Sequence, residues 1–308
     1  MPSELLPDFV ATVNRIFGDA GRAWLPQLPG ILAACHAKWQ LVAGTPCPAM
    51  RINYIEFTET PTGEPVVLKV GVPHEELFTE MAALALYNGH GAVRLLDADR
   101  DLGAMLMARV QPGTMLWQWG TDDEQTRVAA TLMAGLPVAP PTTHHLPTFA
   151  RWVERAFRLT RTLWDPEELM PRALVDRAEA AFEAMLADDP DPVVLHGDLH
   201  HENILWDAES GWLAIDPKGV IGPRALEVGR FIRNQLPPHL PRGRREALVR
   251  KRVAILSREL GLPREKVVAG ALVDCVLSHC WGFEDESLGP DWHLGIDLGN
   301  FLWRMLDA

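Results

Sequence analysis

The sequence predicts an α+β protein, with a small, mostly β lobe containing one packed helix over residues 1–108 and a larger helical lobe over 109–308. Two observations predict this division. The first third of the chain alternates short apolar or β-branched runs with turn clusters, which is typical of strands. After Gln111-Pro112-Gly113 the chain changes to long segments with helical spacing of apolar residues. With 308 residues, 47% of them apolar, the chain is long enough for two lobes with substantial cores.

The first lobe begins with two helical segments, which a break rich in proline and glycine separates. The cluster Thr60-Pro61-Thr62-Gly63-Glu64 then turns the chain between two strands, and one apolar-periodic helix ends at Gly89. We expect helices over 3–20, 30–41 and 74–88, and strands over 50–58, 65–70, 92–97 and 102–110.

The second lobe is mainly helical, and one strand-rich segment interrupts it. A loop over 188–192 leads into an apolar strand that begins at Val193. The turn residues 207–211 fold 204–206 back on 212–215 as a hairpin. We expect helices over 122–136, 147–164, 171–187, 242–260, 265–282 and 292–306.

Composition limits the classes of partner. The formal net charge is −12, from 41 acidic and 29 basic residues, which argues against nucleic acid as the main partner and suits a cationic small molecule. Acidity alone is also explained by solubility. No apolar run reaches the roughly 18 residues of a membrane span, and the start of the chain lacks a basic leader, so we expect a cytoplasmic protein without a membrane partner. The four cysteines form no Cys-x-x-Cys pair, which favours reduced thiols.

An aspartate, an asparagine and a second aspartate stand at characteristic spacings. Asp198 follows Gly197 after an apolar strand, Asn203 comes five residues later, and Asp216 thirteen beyond that. This set is typical of kinase-type phosphoryl transfer, in which one Asp accepts the proton of the attacking hydroxyl and the Asn and second Asp hold Mg²⁺. Singly, such residues are common in turns and at hairpin ends. The complete set favours the catalytic interpretation.

Three histidines in the same segment raise the alternative of a metal site. His196 and His200 are four residues apart, but Gly197 and the apolar strand before it disfavour a helix, and no His-Glu-x-x-His order is present. We therefore expect His196 to hydrogen-bond backbone and fix the loop rather than to bind a metal with His200 and His201.

A lysine within an apolar strand indicates a paired charge. Lys69 lies in Val66-Val67-Leu68-Lys69-Val70, where an unpaired ammonium is costly. Glu80 on the following helix is the expected partner, and Glu76 competes with it. A Lys-Glu pair that holds nucleotide phosphates is part of the kinase plan, whereas an edge-strand lysine in water is the simpler alternative. No G-x-G-x-x-G loop accompanies it, and the segment 44–50 has one glycine and two prolines.

The run Leu195-His196-Gly197-Asp198-Leu199-His200-His201-Glu202-Asn203-Ile204-Leu205 resembles the catalytic loop of aminoglycoside phosphotransferases and related small-molecule kinases. Within that group the chain is most similar to the aminoglycoside/hydroxyurea resistance kinases, which include the streptomycin 6-phosphotransferases. The features that indicate this are Ile215-Asp216-Pro217-Lys218-Gly219 in place of Asp-Phe-Gly, Gly91-Ala92-Val93-Arg94-Leu95-Leu96-Asp97, and Asn234 after Glu227. The resemblance covers about residues 30–306.

The resemblance implies a protein-kinase-like bilobal fold, ATP with Mg²⁺ as cofactors, and transfer of the γ-phosphoryl group to a hydroxyl of a small polar acceptor. Asp198 would be the catalytic base, and Asn203 and Asp216 would bind Mg²⁺. Lys69 would hold phosphates and Glu80 would hold Lys69. The backbone of the linker would meet adenine, at Met107, Ala108, Arg109 and Val110. Similar kinases often carry Glu where Ala108 stands, which backbone contacts tolerate.

The acceptor site would lie in the helical lobe facing Asp198. A cationic aminocyclitol such as streptomycin would pair with carboxylates. The candidate acceptor contacts are Glu227, Asp274, Trp281 and Glu284, together with the neighbouring Asp285 and Glu286. The run 284–286 is equally typical of a solvated loop, and Glu227 could instead cap a helix or pair with Arg230 or Arg233.

Three readings of the whole chain remain. An ATP-dependent small-molecule kinase is favoured, with streptomycin-like acceptors first and an unrelated hydroxylated metabolite second. A nucleotide-binding regulatory pseudokinase is the rival from another class, and the intact set of Lys69, Asp198, Asn203 and Asp216 argues against it. A protein kinase is disfavoured because no Ala-Pro-Glu element follows Asp216 and Pro217-Lys218 replaces the Phe of Asp-Phe-Gly.

Overall fold

The computed structural model describes residues 5–163, 170–189, 191–284, 289 and 291–308. The chain forms two compact units, Met1–Gln111 and Pro112–Ala308.

The first unit contains two N-terminal helices, an antiparallel sheet and one further helix. A three-residue 3₁₀ turn, Leu25–Gln27, is all that separates the first two helices, so the predicted break is much shorter than expected. The predicted strand over 65–70 is confirmed, whereas the one predicted over 50–58 begins only at Tyr54. The elements are α1 Pro7–Trp24, α2 Leu28–Trp39, β1 Thr45–Pro46, β2 Tyr54–Glu59, β3 Pro65–Val70, α3 Glu75–Tyr87, β4 Leu95–Asp99 and β5 Ala104–Ala108.

The sheet has the order β1-β2-β3-β5-β4, and the two sides of β3 meet different neighbours. Leu68 and Val70 lie in a buried cluster with residues of α1 and α2, among them Phe9 and Leu28. Successive side chains of a strand point to opposite faces. Lys69 therefore lies on the face away from this cluster, and the sheet register places it opposite Ile55 on β2 and Met105 on β5.

The second unit is mainly helical, and the predicted helices are confirmed to within a few residues at each end. Its elements are β6 Pro112–Met115, α4 Asp122–Gly135, α5 Phe149–Leu163, α6 Arg172–Asp188, β7 Val193–Leu195, β8 Ile204–Asp207, β9 Gly211–Ala214, β10 Val220–Gly222, α7 Val228–Arg233, α8 Arg242–Leu260, α9 Arg264–Glu284 and α10 His293–Leu306.

Two small antiparallel ladders carry the segment with Asp198, Asn203 and Asp216 in this unit. β7 pairs with β10, and β8 pairs with both β6 and β9. The predicted hairpin is confirmed, with Ile204 opposite Ala214 and Trp206 opposite Trp212. The loop from β7 to β8 runs from the first ladder to the second, and the loop from β9 to β10 runs back. Both loops therefore lie at the same end of the two ladders.

Helix α9 is the central helix of the second unit. It is the one helix in the described part of the chain that is long and apolar enough to cross a membrane, but 78% of its most apolar window is buried inside the protein. Such burial is typical of the core helix of a globular unit. Close packing is visible at Gly270, where a Cβ would lie 2.0 Å from the carbonyl oxygen of Ala225.

A buried carboxylate ties the end of β7 to the segment before α7. Glu227 is 2% exposed, and its Oε2 and Oε1 accept hydrogen bonds from the amides of His196 (2.7 Å) and Gly197 (3.0 Å). It neither caps a helix through its side chain nor pairs with Arg230 or Arg233, which contact other carboxylates. The structure gives Glu227 a supporting position inside the unit, rather than the acceptor-facing one that we expected.

A buried arginine fixes the C-terminal end of α7. Arg252 on α8 is 1% exposed, and its Nη1 donates to the carbonyls of Phe231, Ile232 and Asn234. Its Nε and Nη2 both donate to Oδ1 of Asp122 on α4. These bonds satisfy carbonyls that a helix end leaves without intrahelical partners, so one side chain joins α4, α7 and α8.

We predict that Arg252→Met lowers the free energy of unfolding by about 3 kcal/mol, because it strands three carbonyls and the carboxylate of Asp122. Urea unfolding measures this loss. Arg258→Met, on the exposed side of the same helix beside Glu259, is the matched control and should change stability by less than about 0.5 kcal/mol. Equal losses in the two variants would contradict the anchoring role.

A pH-dependent prediction concerns Glu227. Burial raises the pKa of this carboxyl from 4.5 to about 7, against the lowering effect of its two backbone hydrogen bonds. Between these pH values the folded chain holds a proton that the unfolded chain has released, so this group favours folding less as the pH rises. Glutamine does not titrate. We expect the stability of wild type relative to Glu227→Gln to fall from about pH 5 to pH 7 by up to about 1.4 kcal/mol per pH unit in urea unfolding.

A stability difference between wild type and Glu227→Gln that stays level over this pH range would contradict the raised pKa.

Candidate active site

Asp198 lies in the loop that follows β7, directly after a glycine in the left-handed region. Gly197 has φ +76°, and a Cβ there would lie 2.6 Å from Cγ1 of Val220 on β10. Only glycine suits this turn. Because Glu227 holds the amides of His196 and Gly197, the backbone that leads into Asp198 is fixed. The Asp198 side chain remains partly exposed, at 19%.

The two carboxylate oxygens of Asp198 have different neighbours. Oδ1 is 2.6 Å from Nε of Arg230 on α7, whereas Oδ2 is 3.8 Å from Nε2 of His200. His200 is itself held through Nδ1, which is 2.7 Å from Oε2 of Glu202. One oxygen is thus engaged by a guanidinium, and the other has an imidazole beyond hydrogen-bonding distance.

Asn203 and Asp216 lie at the open end of the hairpin formed by β8 and β9. Nδ2 of Asn203 donates to the backbone carbonyl of Asp198 (3.0 Å), which leaves its Oδ1 as an oxygen ligand. The amide of Ile215 donates to the carbonyl of Asn203 (2.9 Å), so Asp216 follows one residue beyond this contact. The predicted base and the two predicted metal ligands therefore occur within one bonded loop system.

Asp216 adopts a backbone conformation that is rare for a residue with a Cβ. Its φ is +63°, in the left-handed region. Such conformations cluster at functional sites, where the surrounding structure holds them. Here the amide of Lys218 donates to the carbonyl of His196 (2.7 Å), which fastens the segment after Asp216 to the segment before Asp198.

The oxygens of Asn203 and Asp216 suit Mg²⁺, which prefers hard oxygen ligands and keeps several waters. In the described part of the chain, no group of three or more His, Cys, Asp or Glu side chains is placed to hold a metal ion. A site that uses one amide and one carboxylate, with phosphate and water oxygens completing the shell, agrees with that arrangement.

His196 and His201 hold the loop as neutral side chains. Nε2 of His196 is bonded to the carbonyl of Ile215 (2.9 Å), as the sequence predicted, and its Nδ1 accepts from the amide of Asp198 (3.2 Å). His201 stacks on Phe231 at 4.0 Å, and its Nδ1 is 2.7 Å from Oδ1 of Asn234. Burial lowers the pKa of His196 to about 4 and that of His201 to about 3. Neither histidine carries a charge near neutral pH.

In the first unit, Lys69 pairs with Glu80, the partner that the sequence favoured. Nζ of Lys69 lies 2.6 Å and 2.8 Å from the two oxygens of Glu80 on α3, and both side chains are buried, at 6% and 8% exposure. The strand position of Lys69 and the helix position of Glu80 thus produce the bidentate pair expected from the sequence.

The segment expected to meet adenine ends β5. Met107 is buried, and the amides of Ala108 and Arg109 donate to the carbonyls of Arg94 (2.9 Å) and Pro65 (3.2 Å). An adenine contact here would therefore use the other backbone groups, including those of Val110. The guanidinium of Arg109 lies over the ring of Phe57 at 4.4 Å.

The remaining acceptor candidates already have partners. Asp274 is 6% exposed and its Oδ2 is 2.5 Å from Nε of Arg233. Glu284 forms an ion pair with Arg155. Trp281 stacks edge-on against Trp152, with ring centroids 5.3 Å apart. Asp285 and Glu286 lie outside the described residues. A carboxylate placed to meet a cationic acceptor is thus not found among the described candidates.

A cavity of about 370 Å³ opens beside Arg233 in the second unit. Its wall carries both signs of charge, including Arg242, Glu246 and Asp297, as well as the aromatic Trp292. Arg242 and Glu246 pair with each other at 3.0 Å. A cavity with this lining suits a small polar molecule without demanding a net positive charge.

Sequence reasoning missed the contact of Arg230 with Asp198. It considered Arg230 only as a possible partner of Glu227, because the two residues lie near each other on one helical segment. Gly229 allows α7 to pack very closely on α9, since a Cβ there would lie 2.3 Å from Cβ of Asp274. No pattern in a single sequence shows which way the neighbouring arginine then turns.

Comparison with known proteins identifies the family of the chain. The model of the aminoglycoside/hydroxyurea antibiotic resistance kinase family matches residues 38–286. The streptomycin 6-kinase of Streptomyces griseus is 30% identical over 284 residues, 91% of each chain. The hydroxyurea phosphotransferase of Kitasatospora aureofaciens is 33% identical over 295 residues, 92% of this chain and 81% of the relative.

The fold prediction is confirmed by solved structures. The choline kinase LicA from Streptococcus pneumoniae matches with a TM-score of 0.60 and 14% identity, covering 91% of this chain and 99% of that one. The small antiparallel sheet unit and the larger helical unit are those of the protein-kinase-like fold. The family match spans most of the chain and includes both the Lys69 pair and the Asp198 loop. The chain therefore belongs to the aminoglycoside/hydroxyurea antibiotic resistance kinase family and is a small-molecule phosphotransferase.

Proposed function

We propose that the protein is an ATP- and Mg²⁺-dependent O-phosphotransferase that moves the γ-phosphoryl group to a hydroxyl of a small polar acceptor in the cytoplasm. The observation that carries the proposal is the bonded loop system of Asp198, Asn203 and Asp216. The buried Lys69–Glu80 pair supports nucleotide binding, and LicA has been solved in complex with AMP.

In this proposal each residue has a task that follows from its surroundings. Asp198 is the general base, since its carboxylate is fixed by its loop and remains partly exposed. The oxygens of Asn203 and Asp216 hold Mg²⁺, which neutralises charge on the nucleotide phosphates when bound. Lys69, oriented by Glu80, holds phosphate oxygens, and the Met107–Val110 segment holds adenine.

Two acceptor classes are supported by different observations. The streptomycin 6-kinases among the relatives favour an aminocyclitol such as streptomycin, as the sequence suggested. The engaged states of Glu227, Asp274 and Glu284 instead favour an uncharged acceptor, such as the substrate named for the hydroxyurea phosphotransferase. The cavity beside Arg233 is lined by none of Asp198, Asn203 and Asp216, so it favours neither acceptor class.

The first prediction from the proposed function distinguishes a role of Asp198 as the base from a role in nucleotide binding. We expect Asp198→Ala to lower kcat for acceptor phosphorylation by at least about 100-fold, because the base acts on the acceptor hydroxyl. Affinity for Mg-ATP should change by less than about twofold, because this carboxylate is not a nucleotide ligand in the proposal. Coupled ADP release and calorimetry measure the two quantities. Turnover like that of wild type would exclude Asp198 as the base.

The second prediction concerns the proposed metal ligand. We expect Asp216→Ala to weaken Mg-ATP binding about tenfold or more, since it removes one of two protein ligands of the ion. Binding of ATP without Mg²⁺ should change far less. Calorimetric titrations with and without Mg²⁺ measure this difference, and an unchanged Mg-ATP affinity would argue against the metal role.

An acceptor panel tests the substrate class itself. ADP release with Mg-ATP is measured with streptomycin, other aminoglycosides, hydroxyurea and simple polyols. Stimulation that Asp198→Ala abolishes identifies the acceptor class. Intact Mg-ATP binding without stimulation by any of these compounds would contradict the proposed acceptors and favour a kinase of another metabolite or a regulatory nucleotide-binding module.

A further inference from the structure

We propose that Arg230 is a positioning residue for the catalytic base and that its charge sets acceptor preference, by cancelling the attraction that Asp198 would exert on a cationic acceptor. This inference rests on the proposed function, since it assigns Asp198 the role of base. It concerns a residue whose only described charged contact is that aspartate.

The backbone that carries Arg230 is held firmly. Helix α7 follows directly after Glu227, which is bonded to the loop of Asp198, and Arg252 binds the carbonyls at the other end of the helix. Between them, Gly229 packs so closely on α9 that a Cβ would overlap Cβ of Asp274. The helix therefore has little freedom to move, and Arg230 projects from a fixed point.

The geometry of the Arg230–Asp198 pair gives the two oxygens of Asp198 different roles. Nε of Arg230 is 2.6 Å from Oδ1, an ion-pair contact without hydrogen-bond alignment that favours one orientation of the carboxylate through charge attraction. Oδ2 is left facing His200 at 3.8 Å, too far for a hydrogen bond. An acceptor hydroxyl can then approach Oδ2 and transfer its proton there. A misplaced base costs up to about 100-fold in rate, so fixing this oxygen matters for turnover.

The charge of Arg230 also bears on which acceptor arrives. A bare carboxylate at this point would attract an ammonium or guanidinium group, but Arg230 neutralises it in a partly buried setting, with side-chain exposures of 29% and 19%. Pairs in such settings are screened less than fully exposed ones. Arg233, one turn later, neutralises Asp274 in the same way. The base and its surroundings therefore favour an uncharged reacting end of the acceptor over a cationic one.

The test uses the full chain with Mg-ATP and two acceptors, uncharged hydroxyurea and guanidinium-bearing streptomycin. We expect Arg230→Gln to lower kcat for hydroxyurea about 10- to 100-fold and to leave KM for Mg-ATP within about twofold. The ratio of kcat/KM for streptomycin to that for hydroxyurea should rise about tenfold, because the exposed charge of Asp198 attracts the cation. Arg230→Lys should recover part of both effects.

A double variant separates positioning from a general structural role. If Arg230 acts through Asp198, Arg230→Gln has no further effect on the residual turnover of Asp198→Ala. Arg161→Gln is the matched control: Arg161 has the same 29% side-chain exposure and pairs with Asp176 and Glu179 between α5 and α6, so its removal should leave both kinetic ratios unchanged. A wild-type kcat in Arg230→Gln, or an equal loss in the Asp198→Ala background, would overturn the proposal.

A measurement that needs no turnover distinguishes this proposal from the proposed function. Thermal unfolding of Arg230→Gln, Asp198→Asn and the double variant should show a smaller Tm loss in the double variant than the sum of the single losses, because each single change leaves one charge without its partner. Additive losses contradict the pair and with it the Arg230 proposal. If the wild type is inactive toward both acceptors while the Tm losses are non-additive, the proposed acceptors are contradicted and the Arg230–Asp198 pair is not.

Discussion

The loop that carries Asp198 depends on one buried carboxyl group. Glu227 lies in the interior of the second unit and accepts hydrogen bonds from the backbone amides of His196 and Gly197, which precede Asp198. Buried backbone amides require partners, and here a turn with a left-handed glycine cannot supply them from a neighbouring strand. The Glu227 side chain therefore accepts the hydrogen bonds that a neighbouring strand would otherwise accept. The cost of burying the acid appears as its raised pKa, which reaches about 7.

From that anchor, the rest of the site follows by backbone connections. The carbonyl of Asp198 accepts a hydrogen bond from the side-chain amide of Asn203. The carbonyls of Asn203 and His196 accept from the backbone amides of Ile215 and Lys218. Together these bonds join the segments that carry Asp198, Asn203 and Asp216. The loops are thus closed on each other, and the strained φ of Asp216 persists because both of its flanks are held.

The sequence predicted these elements to different degrees. The strand 65–70 and the hairpin were clear because runs of β-branched or apolar residues are bounded by turn residues there. The pairing of Lys69 with Glu80 followed from the cost of an unpaired buried ammonium, which leaves few partners on the next helix. The position of Glu227 was not predictable, because an acid that faces a ligand and one that faces buried amides read alike in a sequence. The same holds for Arg230, whose direction depends on how closely Gly229 lets two helices approach.

Net acidity is a poor guide to the chemistry of this site. The chain carries a formal charge of −12, which suggested a cationic acceptor. Yet the described carboxylates around Asp198 are engaged: Glu227 by amides, Asp274 by Arg233, Glu202 by His200, and Asp198 itself by Arg230. What an approaching molecule meets is the local field, and exposed charges more than about 10 Å away are largely screened at physiological salt. On the proposal for Arg230, acceptor choice depends on which nearby carboxylate lacks a cation of its own, and solubility is enough to explain the acidic excess.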